Sequence, residues 1–123
     1  MIPDMWFDEK NEALHLSFTE VWDENDVPEL FKRIRAHFEG RKERNIVGDL
    51  SHAAPQSYSR QMRKMVAEEA TALSLDKVAI LGANNVLRMM AKILLAVIGN
   101  KWSAETKFFD SEADALAWIK GDK

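Results

Sequence analysis

Cysteine is absent from this sequence of 123 residues, and glycine and proline are scarce, with 5 and 3 copies. Without cysteine there is no disulfide scaffold, no thiolate metal site and no thiol nucleophile. So little glycine and proline excludes collagen-like and low-complexity chains. The missing cysteine suits a reducing compartment, and we expect a cytoplasmic protein. The length predicts a single domain over residues 1–123 with its own hydrophobic core.

An excess of positive charge is also missing, because 17 Lys and Arg stand against 20 Asp and Glu. The net charge of -3 argues against nucleic acid as the main partner. The three histidines, His15, His37 and His52, lack the i, i+4 spacing of a helical zinc pair, so we expect no metal site. His15 falls on the polar side of a predicted strand, where a surface position is expected.

Hydrophobic periodicity predicts the element order β-β-α-β-α-β-α-β-α. The predicted elements are strands at residues 5–8 and 13–22, a helix from Asp26 to Gly40, a strand at 45–50, a helix from Pro55 through Leu73, a strand at 77–82, a helix from Asn84 or Asn85 to Gly99, a strand at 106–109 and a helix from Ser111 to Gly121. This alternation predicts an α/β fold, with a mixed, mostly parallel five-strand sheet covered by four helices. The periodicity leaves the strand order open. The expected core residues are Leu30, Ile34, Val47, Val78, Ile80, Phe108 and Trp118.

The third predicted helix has an unusually wide apolar surface. From Val86 to Ile98 every residue is apolar except Arg88 and Lys92, whereas covering one sheet face needs an apolar arc only slightly wider than 100°. We expect a homodimer through residues 86–98, with burial by the domain's own neighbours and contact with an apolar ligand as alternatives. Thirteen residues rise about 20 Å, short of the roughly 30 Å hydrocarbon core, so we expect no membrane span.

Ligands of open α/β sheets bind outside the carboxyl ends of the parallel strands. Here those ends lead into the loops at residues 51–59 and 82–85. The predicted ligand-binding residues are His52, Ser57, Tyr58, Arg60, Asn84, Asn85 and Arg88. Arg60 and Arg88 would offer charge-assisted hydrogen bonds beside an adaptable wall of Met62, Met65 and Met89.

This combination predicts a small amphipathic anion, such as a fatty acid, as the ligand. The alternative is a closed core with two surface arginines. No cofactor is expected, because residues 82–84 lack the further glycines of a dinucleotide loop.

No catalytic motif is evident in the sequence. Asp49, Ser51 and His52 include the residue types of a triad. However, positions 49 and 51 share one face of a strand and position 52 points to the other. We therefore expect no enzyme, and a small enzyme acting through Asp49, His52 and Tyr58 is the alternative.

Three segments, in this order, resemble the SpoIIAA-like family, small proteins grouped with STAS and SEC14-type domains. Residues 46–51 are a strand ending in Asp-Leu-Ser, and residues 77–82 are an apolar strand ending in Gly before a helix. Residues 108–119 run from Phe-Phe-Asp-Ser into Ala-Leu-Ala-Trp-Ile. The resemblance implies an α/β module that binds a partner protein or a small, lipid-like ligand.

The sequence departs from the family pattern at one functional motif. Family members that act as anti-sigma-factor antagonists carry Asp-Ser-Ser-Gly shortly after Asp-Leu-Ser, and one of those serines accepts phosphate. Here residues 52–59 read His-Ala-Ala-Pro-Gln-Ser-Tyr-Ser. We therefore expect a non-enzymatic binding or regulatory module without a phosphoacceptor serine at Ser57 or Ser59. The alternative is an antagonist-like protein that binds its partner without that motif.

Overall fold

Strands and helices alternate along the chain after an initial pair of strands. The computed structural model describes residues 2–121, without the side chains of Met90, Leu94 and Val97. Within that range the strands are β1 (Asp4–Asp8), β2 (Ala13–Ser17), β3 (Asn45–Asp49), β4 (Lys77–Leu81) and β5 (Glu105–Phe109), and the helices are α1 (Val27–Phe38), α2 (Arg60–Ala72), α3 (Asn85–Ile98) and α4 (Glu112–Ile119). A 3₁₀ turn at Gly99–Lys101 follows α3. The element order is the predicted one.

The strands form a five-stranded sheet in the order β1-β2-β3-β4-β5. β1 runs antiparallel to β2, with Met5 opposite Leu16, and β2 to β5 are parallel to one another. The predicted mixed, mostly parallel sheet with four helices is confirmed. The strand order, which the periodicity leaves open, is sequential.

Each face of the sheet has its own hydrophobic cluster. Right-handed crossovers between neighbouring parallel strands place α1, α2 and α3 on one face. There Leu14, Leu16 and Ile46 are buried in a large cluster with residues of α1 and α2. α4 follows the last strand and covers the opposite face, where Ala115 and Ile119 belong to a smaller cluster.

The predicted core is closed over one half of the sheet and open over the other. Leu30, Ile34 and Val47 are buried, as predicted. The remaining predicted core residues are only partly buried, and they are Val78, Ile80, Phe108 and Trp118. Three of these four lie on β4 and β5, where a cavity separates the sheet from α3.

α2 begins five residues later than predicted. Its first residue is Arg60 instead of Pro55. Ser59 is the N-cap, and its hydroxyl oxygen accepts a hydrogen bond from the backbone N–H of Met62 at 3.0 Å. Such a side-chain acceptor satisfies one of the free N–H groups of the first turn and so determines where the helix starts.

β2 ends at Ser17, earlier than the predicted Trp22. Both backbone polar groups of Trp22 form hydrogen bonds with the side chain of Gln56. Its N–H donates to Gln56 Oε1 at 3.1 Å, and its carbonyl accepts from Gln56 Nε2 at 2.7 Å. These bonds tie the segment after β2 to the loop before α2 and take the place of strand pairing.

The surface position expected for His15 is wrong, because this residue is only 6% exposed. The Trp6 ring stacks on the imidazole at 4.2 Å with an interplanar angle of 10°. Asp8 Oδ2 lies 3.2 Å from Nε2, and Glu112 Oε1 of α4 lies 3.5 Å from Nδ1. Alternation along a strand identifies the face of a residue but not what covers that face.

Candidate functional site

An apolar cavity of about 290 Å³ lies between the sheet and its helical layer. The sheet supplies the floor, with Gly48 of β3 between Leu16 and Ile80 of the neighbouring strands. The three helices α1, α2 and α3 supply the walls. Their lining residues are Leu30, Phe31, Ile34, Met62, Arg63, Val66, Ala70, Leu87 and Ala91. The cavity therefore uses the same apolar residues that would otherwise form a closed core.

Aromatic residues line the end of the cavity near the segment after β2. Phe18 and Trp22 are in ring contact at 5.5 Å, and Trp22 meets Tyr58 edge-on at 6.3 Å. The paired hydrogen bonds of Gln56 hold the Trp22 backbone in place. The three rings in contact form an aromatic wall at this end of the cavity.

The side of the cavity next to α3 is not sealed. Ile80 and Phe108 on the sheet, and Leu87 and Ala91 on the helix, all keep partial solvent exposure. By contrast, Ile34 on α1 is 1% exposed. Val66 and Ala70 on α2 are partly exposed as well. The opening therefore lies between α2 and α3, and the wall formed by α1 is closely packed.

Among the seven predicted ligand-binding residues, Tyr58 lines the cavity. Burial raises the pKa of the Tyr58 phenol above its ordinary value, and a hydrogen bond with Trp22 offsets part of the effect. The phenol therefore stays protonated at neutral pH and keeps its hydrogen as a donor.

His52, Ser57 and Arg60 are exposed and lie outside the cavity lining. The two loops expected to frame a crevice are in close contact at Ser51 and Gly82, because an ideal Cβ on Gly82 would lie only 2.6 Å from Cα of Ser51. A ligand-binding role for these three side chains stays a prediction.

The predicted residues around the start of α3 have structural partners. Asn84 caps the helix, and its Oδ1 accepts from the N–H of Leu87 at 2.9 Å. Asn85 is the exposed first residue of the helix. Arg88 donates from Nε to the carbonyl oxygen of Ala83 at 3.0 Å, and its Nη2 lies 3.5 Å from Asp110 Oδ1. Their proposed contacts with a ligand stay predictions as well.

Arg63 lines the cavity, although the sequence analysis did not select it. Helical spacing is the feature of the sequence that could have identified Arg63 as a lining residue. The apolar residues Val66 and Ala70 follow Arg63 by three and seven residues and therefore lie on the same side of α2. Arg60 is one turn earlier, where α2 begins.

The residues of the considered triad do not assemble. The carboxylate of Asp49 accepts hydrogen bonds from the backbone N–H and the hydroxyl of Ser51 and so closes a turn at the end of β3. His52 is exposed. In the part of the chain that the structure describes, no group of three or more His, Asp or Glu side chains could hold a metal ion.

The outer face of α3 carries exposed apolar side chains. Val86, Met89 and Ile93 are 68%, 63% and 57% exposed. Among the described residues, no helix combines the length and the apolarity needed to cross a bilayer.

Comparison with known proteins agrees with the topology. A crystal structure of an uncharacterised DUF3478-family protein with a SpoIIAA-like fold, from Shewanella loihica PV-4, superimposes with a TM-score of 0.71. The two sequences are 15% identical, and the match covers 95% of this chain and 91% of that one. No curated protein matches the sequence. The sequence model of the SpoIIAA-like family matches residues 13–120, which is most of the chain, and this protein therefore belongs to the SpoIIAA-like family.

Proposed function

We propose that this protein is a non-enzymatic binding module whose cavity holds the hydrocarbon part of a small amphipathic molecule. The observation that carries the proposal is the apolar cavity of about 290 Å³ beneath α3. Its volume is near the lower limit of small-molecule sites, which are concave and mostly apolar. Burying apolar ligand surface there is favourable by roughly 25 cal/mol per Å² before the costs of association.

The chemistry of the lining supports binding over catalysis. Among the described lining residues, the side chains with an ionisable group are those of Tyr58 and Arg63. The raised pKa of Tyr58 keeps its phenol protonated at neutral pH, and a guanidinium offers hydrogen-bond donors but no acceptor. General-base and nucleophilic mechanisms need a group that can accept a proton or attack. Membership of the SpoIIAA-like family is consistent with a partner- or ligand-binding module.

Titration with a fluorescent fatty acid tests the cavity. We expect saturable binding to the wild type. Ala70→Leu places a larger side chain in the cavity and should weaken binding at least tenfold. Ala72→Leu makes the same change on the same helix at an exposed position outside the lining and should leave binding unchanged. Absence of saturable binding, or equal affinity in all three proteins, would refute the proposal.

The exposed face of α3 favours a second property, self-association as a homodimer. Val86, Met89, Ile93 and Ala96 are exposed, and their spacing of three, four and three residues is that of the apolar seam between paired helices. A two-fold contact uses one patch twice, so α3 would meet its own copy.

Light scattering tests the dimer, which should have twice the chain mass of 14.1 kDa. Ile93→Asp buries two like charges in the seam and should give a monomer. Lys92→Asp changes the neighbouring exposed position outside the seam and should leave the dimer intact. A monomeric wild type at every concentration tested would contradict this proposal and leave the cavity proposal unaffected.

A further inference from the structure

Arg63 is the charged residue of the cavity. Among the described lining residues, all others are apolar or aromatic, and Arg63 itself is exposed. A side chain that both lines the cavity and reaches solvent lies at the mouth. A ligand with its hydrocarbon part inside would therefore place its polar end beside this guanidinium.

Most other arginines of the chain already have partners. The sequence contains seven arginines. Arg33, Arg35 and Arg41 pair with carboxylates. Arg44 donates to a backbone carbonyl, and Arg88 contacts a backbone carbonyl and Asp110.

The Arg63 guanidinium has no hydrogen bond or ion pair with another described residue. Arg60, one turn earlier on α2, is exposed, and its guanidinium also has no hydrogen bond or ion pair with another described residue. Unlike Arg63, it lies outside the cavity lining. The two residues therefore form a matched pair that differs in position relative to the cavity.

We propose that Arg63 selects the ligand class, binding the carboxylate or phosphate group of a single-chain amphipathic anion. This inference rests on the proposed function, because it assigns the head group of a ligand whose chain occupies the cavity. A guanidinium presents donors in a planar fork that matches carboxylate and phosphate oxygens. A volume of about 290 Å³ suits one hydrocarbon chain better than two.

The sequence-based prediction assigned the anion to Arg60 and Arg88. Arg88 is held by Ala83 and Asp110, so binding an anion there would require breaking existing contacts. The Arg63 guanidinium has no such contact that an anion would have to replace. The Arg63 site therefore costs less reorganisation, which favours it as the head-group contact.

A ligand cycle tests the assignment, with three probes that share a twelve-carbon chain: dodecanoate, dodecyl phosphate and dodecanol. Each is titrated below its aggregation concentration into the wild type, Arg63→Ala and Arg60→Ala. We expect the wild type to bind at least one anion tenfold or more tighter than dodecanol. Arg63→Ala should reduce that affinity to the level of dodecanol and leave dodecanol binding unchanged. Arg60→Ala should behave like the wild type.

The outcomes separate this inference from the proposed function. Equal binding of anions and dodecanol by the wild type, or equal losses in both arginine variants, would overturn the role of Arg63 while the cavity proposal stands. Failure of all three probes to bind would overturn the cavity proposal itself. A preference between dodecanoate and dodecyl phosphate that disappears in Arg63→Ala supports the inference and identifies the head group. Equal melting temperatures of the three proteins confirm that the variants are folded.

Discussion

Gly48 is a glycine whose missing side chain leaves space on the cavity floor. A Cβ added there would meet Phe18 Cε2 at 3.9 Å, an ordinary van der Waals contact. Replacing glycine by alanine without strain stabilises a protein by roughly 0.4–1 kcal/mol, because the unfolded chain becomes less flexible. We expect Gly48→Ala to raise the free energy of unfolding in urea and to weaken fatty-acid binding. Unchanged binding would show that the floor does not contact the ligand.

Gly82 provides the contrasting case at the end of β4. Its φ of +67° lies in the left-handed region, and a Cβ would lie 2.6 Å from Ser51. Backbone conformation and close packing therefore both require glycine. In the same urea experiment, Gly82→Ala should destabilise the protein by more than about 1 kcal/mol. A stability equal to that of Gly48→Ala would contradict this comparison.

Asp8 makes the fold sensitive to acid. Asn11 donates to its carboxylate from the side-chain amide at 2.7 Å and from the backbone at 3.2 Å. The side-chain bond from Asn11 is the largest cause that holds the pKa of Asp8 below its ordinary value of 3.8, and His15 adds to it. A carboxyl with a lowered pKa stabilises the folded state above its unfolded pKa. That contribution is lost as pH falls through the folded value.

We expect the free energy of unfolding to fall as pH drops below about 4, where protonation removes the preference for the folded state. Asp8→Asn removes the titrating group and should show a smaller decrease over the same range. Urea unfolding at a series of pH values measures both curves. Parallel curves for the two proteins would mean that Asp8 does not contribute to the acid sensitivity.

At the scale of whole elements, α1 packs against the sheet more tightly than α3 does. Ile34 of α1 is 1% exposed and tightly packed, whereas Ile80 of β4 is partly exposed beneath α3. Truncating a fully buried isoleucine to alanine costs about 2–5 kcal/mol, because apolar contact is lost and a void forms. Both side chains line the cavity, but Ile80 is partly exposed and therefore has fewer contacts to lose.

We therefore expect Ile34→Ala to cost about 2–5 kcal/mol and Ile80→Ala clearly less. Urea unfolding of the two variants measures the difference. Ile80→Ala should also retain fatty-acid binding, because it enlarges the cavity. Equal destabilisation by the two substitutions would mean that α3 packs against the sheet as tightly as α1 does.

Ligand binding should stabilise the whole molecule, because the cavity exists only when the sheet and three helices are assembled. A ligand that binds only the folded state adds about 2.7 kcal/mol at one hundred times its dissociation constant. The melting temperature should therefore rise steadily with dodecanoate concentration, and the rise should be smaller for Ala70→Leu than for Ala72→Leu. A melting temperature independent of the probe would contradict binding to the folded state.

The sequence by itself determined the element order, the fold class and the family. Each depends on local patterns: alternation in β2, three-four spacing in α1, and capping residues at the starts of α3 and α4. The structure selects Asn84 over Asn85 as the cap of α3 and confirms Ser111 as the cap of α4. These patterns act within one or two turns of chain, so they are readable without knowing what packs on them.

Tertiary structure decided the strand order, the burial of His15 and the cavity. His15 is buried because Trp6 and α4 meet over it, and no local pattern contains that meeting. The cavity likewise depends on the distance between α3 and β4, and an apolar stripe looks the same whether its neighbour is close or separated by a gap. Arg63 lines the cavity for this reason, because a helix face borders a cavity only where the opposite surface stands away from it.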